Sequence, residues 1–87
     1  MDLVEVRVRL FGRARELMAC EEVRMRLPMV ISSIELKETV FEQLGSDLAP
    51  ISSACILAVD QKYIDDESTL HLTTSSEVAI IPPLSGG

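Results

Sequence analysis

Apolar and polar positions alternate strictly near the start of the chain, where Val4, Val6, Val8 and Leu10 are separated by Glu5, Arg7 and Arg9. Side chains on a strand point to its two faces in turn, so this period of two predicts a half-buried strand with a wet, arginine-bearing side. Phe11-Gly12 interrupts the pattern, and Arg13 to Ala19 suits a short helical turn. Val23, Met25 and Leu27 then alternate with Arg24 and Arg26 up to Pro28, which cannot donate to a ladder and stops a second strand. The two strands are expected to pair across a loop of roughly ten residues, longer than a tight hairpin turn. By the same parity Arg7, Arg9, Arg24 and Arg26 share one sheet face, which suits either a partner or a solvated face balanced by nearby acids.

The period then changes. Leu36, Val40 and Leu44 recur every four residues with Phe41 alongside, while Glu35, Lys37, Glu38 and Glu42 suit a wet side. Ser32 and Glu35 fit a capping box, Ile31 and Leu36 a hydrophobic staple, and Gly45 supplies a C′ residue that tolerates a left-handed backbone. This segment predicts a helix of about twelve residues.

Ala54 to Val59 is apolar without alternation and predicts a strand buried on both faces; Val78 to Ile81 is similar and ends at Pro82-Pro83. Between them Asp60-Gln61-Lys62 turns the chain, Tyr63-Ile64 begins a short return strand, Asp65-Asp66-Glu67 marks a further turn, and Leu70 and Leu72 are expected to pack inward on a loop. The order strand, strand, helix, strand, short strand, strand gives a two-layer α+β fold, with one main helix on one face of a four- to five-stranded sheet. The two unbroken apolar runs imply the central strands. Their outward side chains would form an apolar strip on the face the helix leaves open, and such a strip suits docking. On that strip Ile81 is expected to face outward beside the last residues of the chain.

Composition narrows the function classes. Eighty-seven residues suit one domain, and with 47% hydrophobic but 3% aromatic residues the core must come from Val, Ile, Leu and Met. Net charge is −6 and unevenly spread: residues 1–26 hold six Arg against five carboxylates, and residues 27–87 two Lys against nine. Phosphate backbones would repel such a chain, so nucleic acid is not expected and a protein with a basic receiving surface fits better. Neither a signal peptide nor a membrane span follows Met1-Asp2, which points to the cytosol with no membrane partner. Cys20 and Cys55 match no zinc or redox spacing and are expected as free thiols, Cys55 as an inert core residue. His71 stands alone, without a second ligand at metal spacing, and Asp60, Asp65, Asp66 and Glu67 lack the ligand order and glycine of an EF-hand, so no metal is expected. No catalytic pair or triad is present.

The last six residues, Pro82-Pro83-Leu84-Ser85-Gly86-Gly87, are organised for something other than packing. Two prolines stiffen the exit into an extended path, and two glycines end it without side chains, so a terminal carboxylate could pass through a narrow channel. Five residues after Pro82 reach at most about 17 Å. This ending, together with Glu77-Val78-Ala79-Ile80-Ile81 before it, resembles the terminus of the small, sulfur-carrying subunit of molybdopterin synthase. Arg7 to Leu17, with Phe11-Gly12 and Arg15-Glu16-Leu17, resembles that family's first strand and turn, and Val59 to Asp66 its hairpin region. One departure is Ser75-Ser76, where the family usually has Gly-Asp; Ser is less tolerant of positive φ there.

The resemblance implies a ubiquitin-like β-grasp domain over residues 1–82, with a mixed sheet in order 2-1-5-3-4, and a flexible reactive tail over 83–87. It implies that Gly87 is joined transiently to AMP by an activating enzyme resembling ubiquitin's, an adenylyltransferase and sulfurtransferase. Gly87 then becomes a thiocarboxylate that donates sulfur to a cyclic pyranopterin monophosphate. No stably bound cofactor is implied, only the covalent AMP. Pro83, Leu84, Ser85 and Gly86 would enter the large synthase subunit, with Phe11 and Ile81 at the interface, in a heterotetramer of two small and two large subunits. The chain would be a non-catalytic, sulfur-donating member of that complex. Rival readings are a carrier for tRNA thiolation or thiamin synthesis, a protein modifier joined to lysines through Gly87, or an adaptor that binds by its sheet alone.

Overall fold

The structure, a computed structural model, describes residues 2–65 and 67–83. Strand β1 (Leu3–Leu10) buries Val4, Val6, Val8 and Leu10 and exposes the residues between them, as the alternation requires. It pairs antiparallel with β2 (Glu22–Pro28), from Leu3 opposite Pro28 to Arg9 opposite Glu22. The connection holds α1 (Gly12–Met18), two turns of helix ended by Ala19 in the left-handed region at φ 58°. A short strand β3 (Val30–Ser32) leads into α2 (Ser33–Leu44).

Helix α2 starts where its cap predicts. The Ser32 hydroxyl accepts the Glu35 N–H at 3.1 Å, which is half of the reciprocal box expected. At the other end Gly45 combines φ 83° with an extended ψ of −168°, a pairing open essentially to glycine, and its N–H bonds to the Phe41 carbonyl to close the helix. Leu36, Val40 and Leu44 are buried, as are the staple residues Ile31 and Leu36.

Two 3-10 turns, Ser46–Leu48 and Ser52–Ala54, lead to β4 (Ile56–Val59), which turns into β5 (Lys62–Tyr63). Asp60 and Gln61 both have positive φ, 51° and 69°, the twist that a two-residue hairpin needs. Strands β6 (Thr69–His71) and β7 (Glu77–Ile81) follow. The main sheet has the order β2-β1-β7-β4-β5; counting its strands alone along the chain, this is 2-1-5-3-4. Strand β7 runs parallel to β1 and antiparallel to β4, so the sheet is mixed, and β7 lies at its centre.

Three expectations need correction. The strand expected from Ala54 begins at Ile56, because Ser52–Ala54 coil into a 3-10 turn. It is buried on both faces only at its middle: Leu57 is 3% exposed and Ala58, on the opposite face, 4%, but Ile56 beside Ala58 on that outer face is 51% exposed. Leu70 lies on strand β6 instead of a loop; β6 pairs antiparallel with β3 as a second, two-stranded sheet that flanks the start of α2. Leu72, just beyond it, is buried as expected.

The Ser75-Ser76 departure is absorbed without strain. Neither residue has positive φ. The Ser76 N–H bonds to the Thr73 carbonyl at 3.0 Å, and the Ser76 hydroxyl accepts the Thr73 N–H at 2.9 Å. Side-chain hydroxyls thus hold the turn into β7.

Candidate functional site

The end of β7 is held from both sides. At its start, the Asp60 carboxylate accepts the Glu77 N–H at 2.9 Å, while the Asp60 N–H bonds to the Glu77 carbonyl at 2.8 Å. This reciprocal pair ties the β4–β5 turn to β7. At its far end, the Phe11 N–H bonds to the Ile80 carbonyl at 3.3 Å, extending the β1 pairing by one step. Pro82 has no N–H to continue the ladder, and the chain leaves the sheet there.

Burial along β7 follows parity. Val78 and Ile80 are fully buried, whereas Glu77, Ala79 and Ile81 are half-buried on the outer side. Ile81 stands opposite Ile56, and Ala79 opposite Ala58, which in turn faces Tyr63. Ile56 at 51% and Tyr63 at 73% exposure, with the half-buried Ala79 and Ile81, form an open apolar strip around the buried Ala58. Its upper end runs into a groove of about 600 Å³ lined by Phe11, Gly12, Arg13, Glu16, Ile81, Pro82 and Pro83. Phe11 is 39% exposed, and the Arg9 guanidinium lies 5.3 Å from its ring centre, a cation–π distance.

The arginine-bearing half of the same face is internally balanced. Arg7 approaches Glu77 at 3.3 Å and Glu22 at 3.7 Å, Arg9 approaches Glu77 at 3.7 Å, and Arg24 approaches Glu5 at 3.6 Å. Such exposed pairs contribute little stability each. They leave the outer face divided into a charged half over β1–β2 and an apolar half over β7–β4–β5.

The structure therefore brings together Phe11, Ile81 and Pro83 of the expected site. Leu84, Ser85, Gly86 and Gly87 lie outside the described residues. Gly12 and Asp60 play larger parts than their sequence context suggested. Asp60 was readable only as a turn residue, and its bond to Glu77 depends on a contact across the fold. Cys55 is 2% exposed, and burial pushes its thiol upward, with nearby Lys37 opposing in part, as befits an inert core residue. His71 is exposed on β6. Asp65 accepts the Ser68 hydroxyl at 2.6 Å and the Glu67 N–H at 3.1 Å, and these bonds hold its carboxyl below the usual range. Asp66 lies outside the described residues. No helix among the described residues is long and apolar enough to cross a membrane.

Comparison with known proteins agrees with this geometry. The ThiS family model matches residues 8–87. The molybdopterin synthase sulfur carrier subunit of Drosophila yakuba is 40% identical over 86 residues, covering 98% of this chain and 93% of that protein. Among solved structures, a chain in the complex of subunits 1 and 2 of the molybdopterin-converting factor from Helicobacter pylori 26695 superposes with a TM-score of 0.64. It is 23% identical, covering 95% of this chain and 99% of that one. The small archaeal modifier protein 1 of Methanosarcina acetivorans superposes at 0.69 with 19% identity and full coverage of both chains. At these identities the two structures speak to the fold, which is ubiquitin-like. The full-length sequence match and the shared β-grasp topology together place this chain in the ThiS family, among relatives that include sulfur carrier subunits of molybdopterin synthase.

Proposed function

We propose that this protein is the sulfur carrier subunit of a molybdopterin synthase, with residues 83–87 as its reactive tail and Gly87 as its reactive residue. The observation that carries the reading is the 40% identity to such a subunit over nearly the whole of both chains. It is supported by an apolar strip and groove at the root of a Pro-Pro-Leu-Ser-Gly-Gly ending.

A carboxylate is a poor acyl donor and must be activated. Attack of the Gly87 carboxylate on the α-phosphorus of ATP, in a ubiquitin-activating-like partner, forms an acyl adenylate and releases pyrophosphate. Sulfur at the sulfide level then attacks the acyl carbon, the C–S bond forms, and AMP leaves with the oxygen. The resulting thiocarboxylate is a soft nucleophile that delivers sulfur to the cyclic pyranopterin monophosphate in the large subunit. One tail carries one sulfur and a dithiolene needs two, so two charged tails act per product, which suits two small with two large subunits. The apolar strip around Ile81 and the groove at Phe11 are the surface offered to the large subunit; that such a partner exists is supported by the Helicobacter pylori complex of subunits 1 and 2. On this proposal the protein works in the cytosol with these partners.

Intact-mass measurement tests this directly. Incubation with an activating enzyme, ATP and a sulfur donor should raise the mass by the difference between one sulfur and one oxygen. A ladder of conjugates to other proteins, with no such gain, would mark the protein as a modifier.

A further inference from the structure

The turn between β1 and α1 touches the chain where it leaves the sheet. Gly12 has φ +51°, and a Cβ built on it would stand 3.2 Å from Cγ of Pro82 and 4.0 Å from its Cδ. The shorter distance is tighter than ordinary van der Waals contact, so one partner must give. Pro82 can give only by a change of ring pucker at Cγ or by a shift of its main chain, because the ring is closed onto the backbone, so a Cβ at position 12 restricts how Pro82 seats. One residue before Gly12 and two before Pro82, the Phe11 N–H holds the Ile80 carbonyl. The turn thus grips the end of β7 by a hydrogen bond at Ile80 and by close packing at Pro82.

We propose that Gly12 is a positioning residue for the tail: its missing side chain lets Pro82 seat against the β1–α1 turn and sets the direction in which the chain leaves the sheet. The inference rests on the sulfur-carrier reading for its consequence, but not for its geometry. The five residues beyond Pro82 can reach at most about 17 Å, so the place and direction of the exit at Pro82 bound the region that the terminus can reach. Misplacement of a reacting group by about 1 Å is enough to cost on the order of a hundredfold in rate. Pro83 carries the stiffness of the root forward.

Substitutions at Gly45, Gly12 and Pro82 separate seating from backbone strain. Gly45→Ala imposes a positive φ of 83° on a residue whose Cβ would meet nothing within 4 Å, so it should lower stability and leave sulfur loading unchanged. Gly12→Ala should instead lower kcat/KM for loading by the activating enzyme roughly tenfold or more, in a protein that still melts cooperatively. Gly12→Asn suits the left-handed backbone and should recover stability but not loading. Because Pro82→Ala removes the ring that a Cβ at position 12 would meet, Gly12→Ala should cost little when added to Pro82→Ala.

Wild-type loading by Gly12→Ala, full recovery of loading by Gly12→Asn, or an undiminished effect in the Pro82→Ala background would each overturn the proposal. If the wild-type protein itself is never loaded, the sulfur-carrier reading fails instead. The seating is then decided by NMR: Gly12 α-proton to Pro82 ring contacts, and shifts at Ile81–Pro83 in Gly12→Ala larger than in Gly45→Ala, support it, and their absence overturns it.

Discussion

Cys55 shows how a single residue reports its surroundings. A thiolate is poorly solvated where Cys55 sits, so the neutral thiol is favoured in the fold and its pKa is raised above 9.0. A group raised on folding stabilises fully below its unfolded value and loses that contribution as pH climbs toward its folded one. Stability should therefore fall as pH rises past about 9, and Cys55→Ser should remove that part of the slope in a pH series of melts. At neutral pH the half-buried Cys20 should be alkylated well before Cys55, which peptide mapping after timed reaction would show. Gly87 makes a sharper demand. If the reactive group is the terminal carboxylate, adding one residue after Gly87 or deleting it should abolish sulfur loading while the melting temperature stays unchanged; a tagged, uncleaved protein with full loading would refute the role given to Gly87. Gly86→Ala should likewise impair activation more than folding, because a methyl group there narrows the passage and restricts the backbone.

At the scale of elements, helix α2 depends on one hydroxyl. Ser32 satisfies the Glu35 N–H and sits between β3 and the first helical turn, so its loss unties two elements at once. Ser32→Ala should cost about 1 kcal/mol, typical of a lost N-cap, and Ser32→Asp should recover most of it in urea melts. The turn before β7 relies on Thr73 and Ser76 instead of glycine. The Ser76 hydroxyl is buried against the Thr73 N–H, so Ser76→Ala should destabilise by roughly 1–2 kcal/mol, whereas the exposed Ser75→Ala should cost far less. Comparable losses from both would show that the buried hydroxyl is not what holds the turn.

Across the whole molecule, one helix covers one side of a five-stranded sheet, and the other side is left divided between paired charges and an apolar strip. Ile81 is half-buried on that strip, so an aspartate should be tolerated by the fold. Completing its desolvation in a complex is worth up to about 1.5–3 kcal/mol, so Ile81→Asp should weaken binding to a large synthase subunit roughly tenfold or more. Unchanged affinity in a folded variant would remove Ile81 from the docking surface. The ion pairs on the charged half are exposed, so raising salt should shift the melting temperature little.

Local periodicity determined much of this protein. The alternation of β1 and β2, the four-residue recurrence and cap of α2, and the proline stop after β7 are properties of neighbouring residues, and they are legible because strand and helix periods differ. Parity divided the last strand into Val78 with Ile80 and Ala79 with Ile81, and the fold decided that the second pair faces outward. The chemistry of the tail was legible for another reason, since Pro-Pro-Leu-Ser-Gly-Gly makes poor packing material and a good extended, narrow ending. What tertiary structure decided are contacts between residues far apart in the chain. Thr69–His71 is a strand only because Val30–Ser32 lies beside it, and Ile56 is exposed only because no second layer covers that side of the sheet. Asp60 clamps Glu77 across seventeen positions, and Gly12 meets Pro82 across seventy, because β7 inserts between β4 and β1. No window of neighbouring residues contains those pairs, and the direction of the tail at its root is set by them.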